Sequence, residues 1–370
     1  MDISVACSDL KKGLQQVINV IPSKTTVPVL GHVLFEATSN QLMLSATDLE
    51  VSLKTSLTVT VNREGSVTIP GRLLFDVVRE LPDVPLDITV EEGNRIQVKS
   101  PRGKYTFFGE DAKDFPQLPT IDVKHEITFK KDVLKRHIEK TIFAVSMDEL
   151  RTALMGVLFQ VKANEFMSVS TDGHRLIRIV NKDFSAPEGI EDVIVPLKAL
   201  NLLLKNIDDE GELKISFANN YIAFDLDNAA INATLIDAKY PDYEKVIPTD
   251  NENKLVVKRE EFTSALRTIS VLANKITQQI RLSIEPGKMT LVSQDMDRGE
   301  GEEKLDVDYA GSAIEVGFNS GYLIDILRHI DTDDVEFVFG GSTSAALAFP
   351  VEQRENEDIL MLVMPIKLRD

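Results

Sequence analysis

The amino-acid sequence predicts an α+β protein built as three copies of one plan, each with two helices packed on antiparallel sheets. The first observation is a short acidic turn that follows an apolar strand at Asp48, Asp172 and Asp295, at intervals of 124 and 123 residues. Each interval is one third of the 370-residue chain, and similarity at a fixed period indicates a repeat architecture. The second observation is that the apolar spacing changes in the same order within each third, between helical and alternating patterns.

Two further markers keep the same period and place the domain boundaries. A strand that turns into a helix recurs at residues 67–74, 193–200 and 316–323. Aromatic-proline pairs end the first two copies, at Phe115-Pro116 and Tyr240-Pro241. The predicted domains are therefore residues 1–121, 122–250 and 251–370.

The elements of the first copy set the pattern for the others. Ser8 is a plausible N-cap, and Leu10 and Leu14 begin an apolar face with helical spacing. Alternating strands follow, and a second helix over residues 71–81 ends where Leu81 precedes a proline. We expect about eight short strands in each copy and six helices in all. The remaining predicted helices cover residues 131–145, 197–206, 259–273 and 320–330.

Composition limits the class of protein. With 43% hydrophobic and 27% charged residues, the chain has enough apolar material to form packed cores. It shows neither a long apolar run nor a signal-peptide pattern, so we expect a cytoplasmic protein. Cys7 is the only cysteine, which excludes disulfides and thiolate metal sites within one chain.

The net charge of −18 argues against a nucleic-acid partner unless the positive charges are concentrated. The helical segments together carry +8, and the remainder of the chain is correspondingly acidic. The sum covers residues 8–20, 71–80, 130–145, 197–206, 258–275 and 320–330. For one helix, lysines on a solvated face are the ordinary interpretation. Six helices with this bias would form a phosphate-attracting surface if the fold brought them together.

Catalytic and nucleotide-binding motifs are missing from the sequence. The five histidines form no HxxxH pair, and there is no GxxxxGK[ST] or GxGxxG loop. Ser170, Asp172 and His174 could suggest a nucleophile with its base. However, Asp172-Gly173 is a turn signal that would break the shared register of a strand, so a hairpin turn or a binding loop is the preferred interpretation.

Four segments in fixed order carry a resemblance to a known family. They are residues 151–156 (RTALMG), residues 171–176 (TDGHRL), Tyr240-Pro241-Asp242-Tyr243 with Val246, and residues 363–368 (VMPIKL). With the threefold repeat, the whole chain resembles the bacterial sliding clamps, the β subunits of DNA polymerase III. The resemblance implies three DNA-clamp domains that form half of a closed ring, a head-to-tail homodimer, and no catalytic residues or cofactor.

The resemblance also implies double-stranded DNA, bound without sequence specificity, as a partner inside the ring. Twelve helices of about 10 Å width would enclose a hole of roughly 28 Å, whereas six would leave about 9 Å, so two chains are needed. Lysine suits sliding because it is a hydrated point charge on a flexible stem. The expected DNA-tracking residues are Lys24, Arg72, Lys131, Lys135, Arg136, Lys140, Lys198, Lys205 and Arg267.

The family also implies two protein contacts. The ring ends should meet between the first and third domains, through Arg72, Val77, Leu81 and Tyr105 on one side and Val271 and Leu272 on the other. The replicative polymerase, the clamp loader and repair proteins should insert short linear peptides into a pocket. Its expected walls are Leu154, Thr171, Gly173, His174, Arg175, Leu176, Pro241, Val246, Leu362, Val363, Met364, Pro365 and Ile366. Of these, His174 and Arg175 are expected to offer polar groups at the rim.

Two departures from the family pattern concern partner choice. Lys367 stands where many relatives have arginine, and Arg369-Asp370 extend past the usual end. Two other functions stay open at this point. One is an acidic adaptor that binds peptides without encircling DNA, and the other is a hydrolase that uses Asp172 and His174.

Overall fold

The computed structural model describes residues 1–119 and 122–368. The predicted boundary at residue 121 and the Arg369-Asp370 extension lie outside the described residues. Six α-helices occur in the described part, as the sequence predicts. They are α1 (Cys7–Val17), α2 (Gly71–Glu80), α3 (Lys131–Thr141), α4 (Leu197–Asn206), α5 (Arg259–Ser270) and α6 (Ser320–Arg328).

The helix ends differ from the predicted ones where distant residues intervene. The first helix begins at Cys7 with Ala6 at the cap position, so Ser8 is not the N-cap. The backbone N–H of Ser8 instead donates to Asp83 Oδ1 at 3.0 Å, a partner 75 residues away. The third helix ends at Thr141, and residues Ile142–Ala144 continue as a 3-10 turn.

The residues group into two compact units. The first comprises Met1–Lys135 with Lys198–Leu235, and the second comprises Arg136–Leu197 with Ile236–Asp370. We call them the N-terminal and C-terminal units. The division passes through the predicted central domain, because its two sheets are shared with different neighbours. The predicted domain boundaries therefore stay predictions.

The N-terminal unit holds two antiparallel sheets. The five-stranded sheet has the order β5 (Thr60–Arg63), β1 (Asp2–Ala6), β7 (Pro85–Val90), β8 (Arg95–Ser100) and β9 (Gly103–Phe108). The eight-stranded sheet has the order β10 (His125–Lys130), β15 (Glu212–Phe217), β16 (Tyr221–Leu226), β17 (Ala229–Thr234), β4 (Val51–Thr58), β3 (Gln41–Thr47), β2 (His32–Thr38) and β6 (Gly65–Pro70).

The C-terminal unit repeats this arrangement. Its nine-stranded sheet has the order β14 (Val193–Pro196), β11 (Gly156–Lys162), β12 (Glu165–Thr171), β13 (Arg175–Asn181), β26 (Glu357–Val363), β25 (Ala346–Pro350), β24 (Asp334–Phe339), β18 (Asn253–Lys258) and β22 (Asp308–Tyr309). Its four-stranded sheet has the order β21 (Gly299–Asp306), β20 (Lys288–Asp295), β19 (Gln279–Glu285) and β23 (Ile314–Asn319).

Adjacent repeats are joined by one strand pair each. The strand after the first acidic turn, β4, pairs with β17 of the second repeat, with Val51 opposite Ala233. The strand after the second turn, β13, pairs with β26 of the third repeat, with Arg175 opposite Val363. The strand after the third turn, β21, lies at the edge of its sheet, as does β9 at the end of the first repeat. The same kind of junction is thus formed twice, and the two strands that would form a third, β21 and β9, each have an unpaired edge in the part of the chain that the structure describes.

The buried face of each helix follows the apolar spacing of the sequence. Leu10, Leu14 and Val17 are buried on α1, and Leu74 and Val78 are buried on α2. Leu73, on the same helix, is 56% exposed and therefore lies outside this buried face. The largest core cluster of the C-terminal unit packs α5 and α6 against strands of both its sheets.

Candidate functional site

The turn that could suggest catalysis is a hydrogen-bonded structural turn. Asp172 Oδ1 accepts the backbone N–H groups of His174 at 2.8 Å and Arg175 at 3.0 Å. Ser170 is buried, and its Oγ donates to the carbonyl of Thr141 at 2.5 Å. The hydroxyl and the carboxylate are therefore engaged with the fold, and no nucleophile-base pair forms among the three residues.

The same turn occurs in all three repeats. Asp48 Oδ1 accepts the N–H groups of Glu50 and Val51, and Asp295 Oδ1 accepts those of Asp297 and Arg298. In the first two repeats a threonine hydroxyl also spans the turn, from Thr47 to Val51 and from Thr171 to Arg175. The hydrogen bonds of the acidic turn thus recur together with its sequence in each repeat.

The expected pocket residues lie on both sides of the junction between β13 and β26. Beyond this junction, the Met364 N–H donates to the carbonyl of His174 at 2.8 Å. The Ile366 N–H donates to the carbonyl of Gly317 at 2.8 Å, which fixes the course of the last residues. The exposed members of the expected set are Gly173, His174, Pro241, Val246 and Met364, while Pro365 and Ile366 are half-buried.

The remaining expected pocket residues are buried. Leu176 and Leu362 belong to one buried cluster with Tyr243 and Leu347, against which Tyr240 and Ile247 pack. Burial raises the pKa of Tyr243 to about 12, so its hydroxyl stays protonated at neutral pH. Val363 is completely buried on the other face of the strand. The other buried members are Leu154, Thr171 and Arg175.

The structure contradicts the expected position of one polar group. Arg175 is 9% exposed, so it does not stand at the rim as the sequence interpretation has it. Its guanidinium is hydrogen-bonded inside the C-terminal unit. His174, in contrast, is exposed, and its ring stacks on that of Tyr322 with centroids 5.9 Å apart.

Five of the nine expected DNA-tracking residues present exposed side chains. Two of them are also partly anchored: Arg72 Nη2 donates to the carbonyl of Ile21 at 2.6 Å, and Lys205 Nζ donates to Asn19 Oδ1 at 3.1 Å. Lys198 forms an ion pair with Asp48. The exposed set is Lys24, Arg72, Lys198, Lys205 and Arg267.

The four expected DNA-tracking residues on α3 are engaged in ion pairs within their units. Lys131 is 4% exposed and bridges Asp208 and Asp227, both at 2.9 Å. Lys135 pairs with Asp209 at 2.6 Å. Arg136 and Lys140 share Asp331, and Arg136 also binds Glu357. Burial leaves Lys131 and Lys140 little surface for a phosphate, which the sequence spacing could not reveal.

A buried histidine on the same helix makes the stability of the fold depend on pH. His137 is 1% exposed, and its Nδ1 lies 3.0 Å from Ser168 Oγ. Burial, together with the charge of Arg136, lowers its pKa from 6.5 to about 3.

We expect this histidine to destabilise the folded state as the pH falls below 6.5. The unfolded chain then binds a proton that the folded chain does not, so stability is present above pH 6.5 and is lost below it. The loss from this group approaches about 1.4 kcal/mol per pH unit. Urea unfolding of wild type and His137→Gln between pH 7 and 5 measures it. Parallel pH profiles for the two proteins would contradict the assignment.

The expected contact residues at the ring ends are partly exposed. Val271 is 63% exposed, and Val77, Leu81, Tyr105 and Leu272 are half-buried. Leu272 packs against β21: a Cβ built on Gly301 would lie 2.7 Å from Leu272 Cδ1. Arg72, the cation of this set, is exposed.

Several exposed apolar residues were missed by the sequence reasoning. Phe108 on β9 is 72% exposed, and Ile276 beside the end of α5 is 91% exposed. Leu150, close in sequence to the predicted pocket residue Leu154, is 93% exposed. A signal existed for Phe108, because adjacent residues of a strand point to opposite faces and Phe107 is buried.

The described residues show no group of histidine, cysteine or carboxylate side chains that could hold a metal ion. In the same part of the chain, none of the helices has the length and apolar character needed to cross a membrane.

Sequence-family models match the chain in three consecutive segments. They describe the N-terminal, central and C-terminal domains of the DNA polymerase III beta subunit, over residues 1–119, 128–242 and 244–367. The beta sliding clamp of Vibrio cholerae is 31% identical over 370 residues, and that of Pseudomonas putida is 34% identical over 374 residues. Each of these alignments covers 100% of both proteins.

Solved structures of similar proteins have the same fold over their whole length. A crystal structure of the DNA polymerase III subunit beta from Pseudomonas aeruginosa matches with a TM-score of 0.94 and 32% identity. The sliding clamp of Bartonella birtlesii bound to griselimycin matches with a TM-score of 0.96 and 32% identity. Both comparisons cover 100% of each chain.

Proposed function

This chain belongs to the family of bacterial β sliding clamps, the beta subunits of DNA polymerase III, and from this premise we propose that two copies of it close head to tail into a ring around duplex DNA. The ring would act in the cytoplasm as a processivity factor that tethers the replicative polymerase. It would carry out no reaction itself. The open repeat junction is the observation that carries the proposal.

Repeat symmetry identifies the strands that would join two copies. In each formed junction, the strand after an acidic turn pairs with the last strand of the next repeat. The corresponding strands for a third junction are β21 and β9. When β21 of one chain pairs with β9 of a second chain, β9 of the first chain and β21 of the second are still unpaired. Pairing these two strands in the same way closes a symmetric dimer. Exposed strand edges are also templates for such pairing.

The same symmetry supplies a register for this junction. Ala233 lies seven residues before Tyr240, and Phe108 lies seven residues before Phe115, so the two positions correspond. Antiparallel pairing then places Lys104 opposite Glu302 and Tyr105 opposite Gly301. Lys104 and Glu302 are both exposed, and opposite charges facing across strands stabilise a pair. Tyr105 would cover the face of Gly301 on which Leu272 packs.

The charges flanking the two edges are also complementary. Exposed cations on and beside β9 include Lys99, Arg102 and Lys104. β21 carries Glu300 and Glu302, both exposed. Such opposite patches steer association and fix register more than they add affinity.

DNA contact would use the exposed cations rather than the paired ones on α3. We expect replacement of Lys24, Lys205 and Arg267 by glutamine to weaken retention on DNA without changing any sequence preference. Six cations removed from a dimer lower the slope of log affinity against log salt by up to about 5. The measurement is the fraction of protein held on an end-blocked duplex at increasing NaCl concentrations.

A matched control removes the same number of exposed cations elsewhere. Lys113, Lys182 and Lys245 are exposed and lie outside the expected DNA set. Their replacement by glutamine should leave retention and its salt slope as in wild type. Equal losses in both triple variants would contradict the proposed DNA surface.

Partner binding would use the pocket between the acidic turn at Asp172 and the last residues of the chain. The site would include the apolar cluster that contains Leu176 and Leu362, and Met364 adds an exposed, flexible side chain, as adaptable peptide sites do. The Bartonella birtlesii clamp has been solved with griselimycin bound, which supports ligand binding in this family. We propose that the polymerase, the clamp loader and repair proteins insert linear peptides here. Lys367, which is exposed, would then influence the choice among them.

One experiment tests the ring directly. The protein is loaded on nicked circular plasmid by a clamp loader and isolated with the DNA, and the plasmid is then cut once. A closed ring stays on the circle and leaves after linearisation. Retention on the cut DNA would indicate ordinary adhesion. Peptide binding without any retention on the circle would indicate an adaptor that does not encircle DNA.

A further inference from the structure

Arg175 differs from the other polar residue of the pocket turn because its side chain points into the fold. His174 is exposed, whereas Arg175 is 9% exposed. We propose that Arg175 is a positioning residue that holds the pocket turn and its aromatic wall in place, and that it makes no charged contact with the bound peptide. This inference rests on the proposed peptide-binding function of the same site.

Hydrogen bonds engage every nitrogen of the guanidinium. Nε donates to Asp172 Oδ2 at 3.1 Å, Nη1 donates to Asp325 Oδ2 at 2.6 Å, and Nη2 donates to the carbonyl of Phe143 at 2.6 Å. Bonds between ionised partners are stronger than neutral ones. The positive charge of Arg175 is therefore balanced within the protein by two carboxylates.

The three acceptors lie on three different segments. Asp172 belongs to the pocket turn, Asp325 to α6, and Phe143 to the 3-10 turn that follows α3. Residues 143, 172 and 325 are distant in sequence, so the guanidinium is the atom group that joins them. A planar fork with fixed donor directions suits this role, and a lysine ammonium in its place could not reproduce it.

Aromatic rings fix the plane of the guanidinium and extend its effect to the surface. Its central carbon lies 4.8 Å from the ring centroid of Tyr322 and 5.2 Å from that of Phe143. Tyr322 in turn stacks on the exposed ring of His174, with 18° between the planes. Arg175 thus supports a surface that the peptide would touch without reaching that surface itself.

This arrangement predicts how a loss at Arg175 depends on the peptide. If a residue contacts a peptide carboxylate, its replacement lowers the affinity for acidic peptides most. A residue that only positions the pocket affects all peptides by the same factor, because the pocket itself is altered. The two roles are therefore separable by the charge of the probe.

The experiment uses the full-length dimer and two synthetic peptides with a glutamine and apolar anchors. One peptide carries an aspartate beside the anchors, and the other carries asparagine at that position. Fluorescence anisotropy gives the affinities for wild type, Arg175→Lys and the control Arg328→Lys. Arg328 pairs with the same Asp325 from the exposed side, at 3.9 Å. We expect Arg175→Lys to lower the affinity for both peptides by the same factor, on the order of tenfold. The control should bind as wild type does.

A spectroscopic readout separates positioning from simple destabilisation. We expect the stack on Tyr322 to shift the ring-proton resonances of His174 in wild type, and Arg175→Lys should remove this shift while the protein stays folded and dimeric. If Arg175→Lys does not fold, Asp325→Ala removes one of the three acceptors only and is compared in the same way.

Each result has a distinct meaning. Binding of neither peptide by wild type would refute the proposed peptide site. Wild-type binding that is unchanged in Arg175→Lys would overturn the positioning role while leaving the site intact. A loss confined to the aspartate peptide would also overturn it, in favour of direct contact. Equal losses accompanied by an unchanged His174 signal would place the effect elsewhere.

Discussion

Leu272→Asp should convert the dimer into a monomer at concentrations where wild type is fully associated. Leu272 packs on the face of β21 that we expect to meet Tyr105 of a second copy. A carboxylate there would be buried without a partner, which costs several kcal/mol and lowers the association constant at least about 100-fold. Sedimentation velocity measures the change as a halved mass. The variant should also fail to stay on circular DNA.

A control and a charge exchange make this test specific. Val351 is an exposed apolar residue of the C-terminal unit, 48% exposed, and Val351→Asp should leave the dimer intact. Lys104→Glu and Glu302→Lys should each weaken the dimer, and mixing the two single variants should give a heterodimer in which both junctions again pair opposite charges. A dimer that ignores all of these changes would show that the copies meet through other surfaces.

Val246→Ser combined with Met364→Ser should strongly weaken partner-peptide binding. Both side chains are exposed, at 49% and 39%, so their replacement leaves the core intact. Fully burying one such side chain contributes about 1.5 to 3 kcal/mol, and the exposed parts of the two together therefore account for a loss of roughly 10-fold to 100-fold. Titration calorimetry with a partner peptide measures the loss.

The dimer and its retention on circular DNA should be unchanged in the same double variant, because the other contacts lie elsewhere. Truncation is a less selective alternative. Val363 is completely buried at the end of β26, so a deletion that includes it would damage the core. A deletion that begins after Met364 spares it. Full partner-driven processivity in the double variant would refute the pocket assignment.

Most of the local structure was predictable because it depends on neighbouring residues. The period of apolar residues determines which face of α1 is buried, and that period can be read directly. The turn at Asp172 was predictable for the same reason, since its hydrogen bonds connect residues two to four positions apart.

The environment of individual charges was not predictable, because it depends on distant partners. Lys131 is buried by carboxylates 77 and 96 residues further along the chain. Arg175 finds Asp325 on a helix 150 residues away. Spacing assigns both cations to a surface, and only the packing of strands and helices shows that they are enclosed.

The acidic turns of the first two repeats have the same backbone conformation at corresponding positions, although the residues there differ. Gly173 has a φ of 88°, a conformation that glycine adopts easily, and the corresponding Leu49 has a φ of 81°. A leucine held in this region costs the fold on the order of 1 kcal/mol. The Asp48 hydrogen bonds maintain the shape nonetheless. In these two copies, backbone form has therefore outlasted side-chain preference during divergence, and Leu49→Gly would relieve a cost that the second copy never carries.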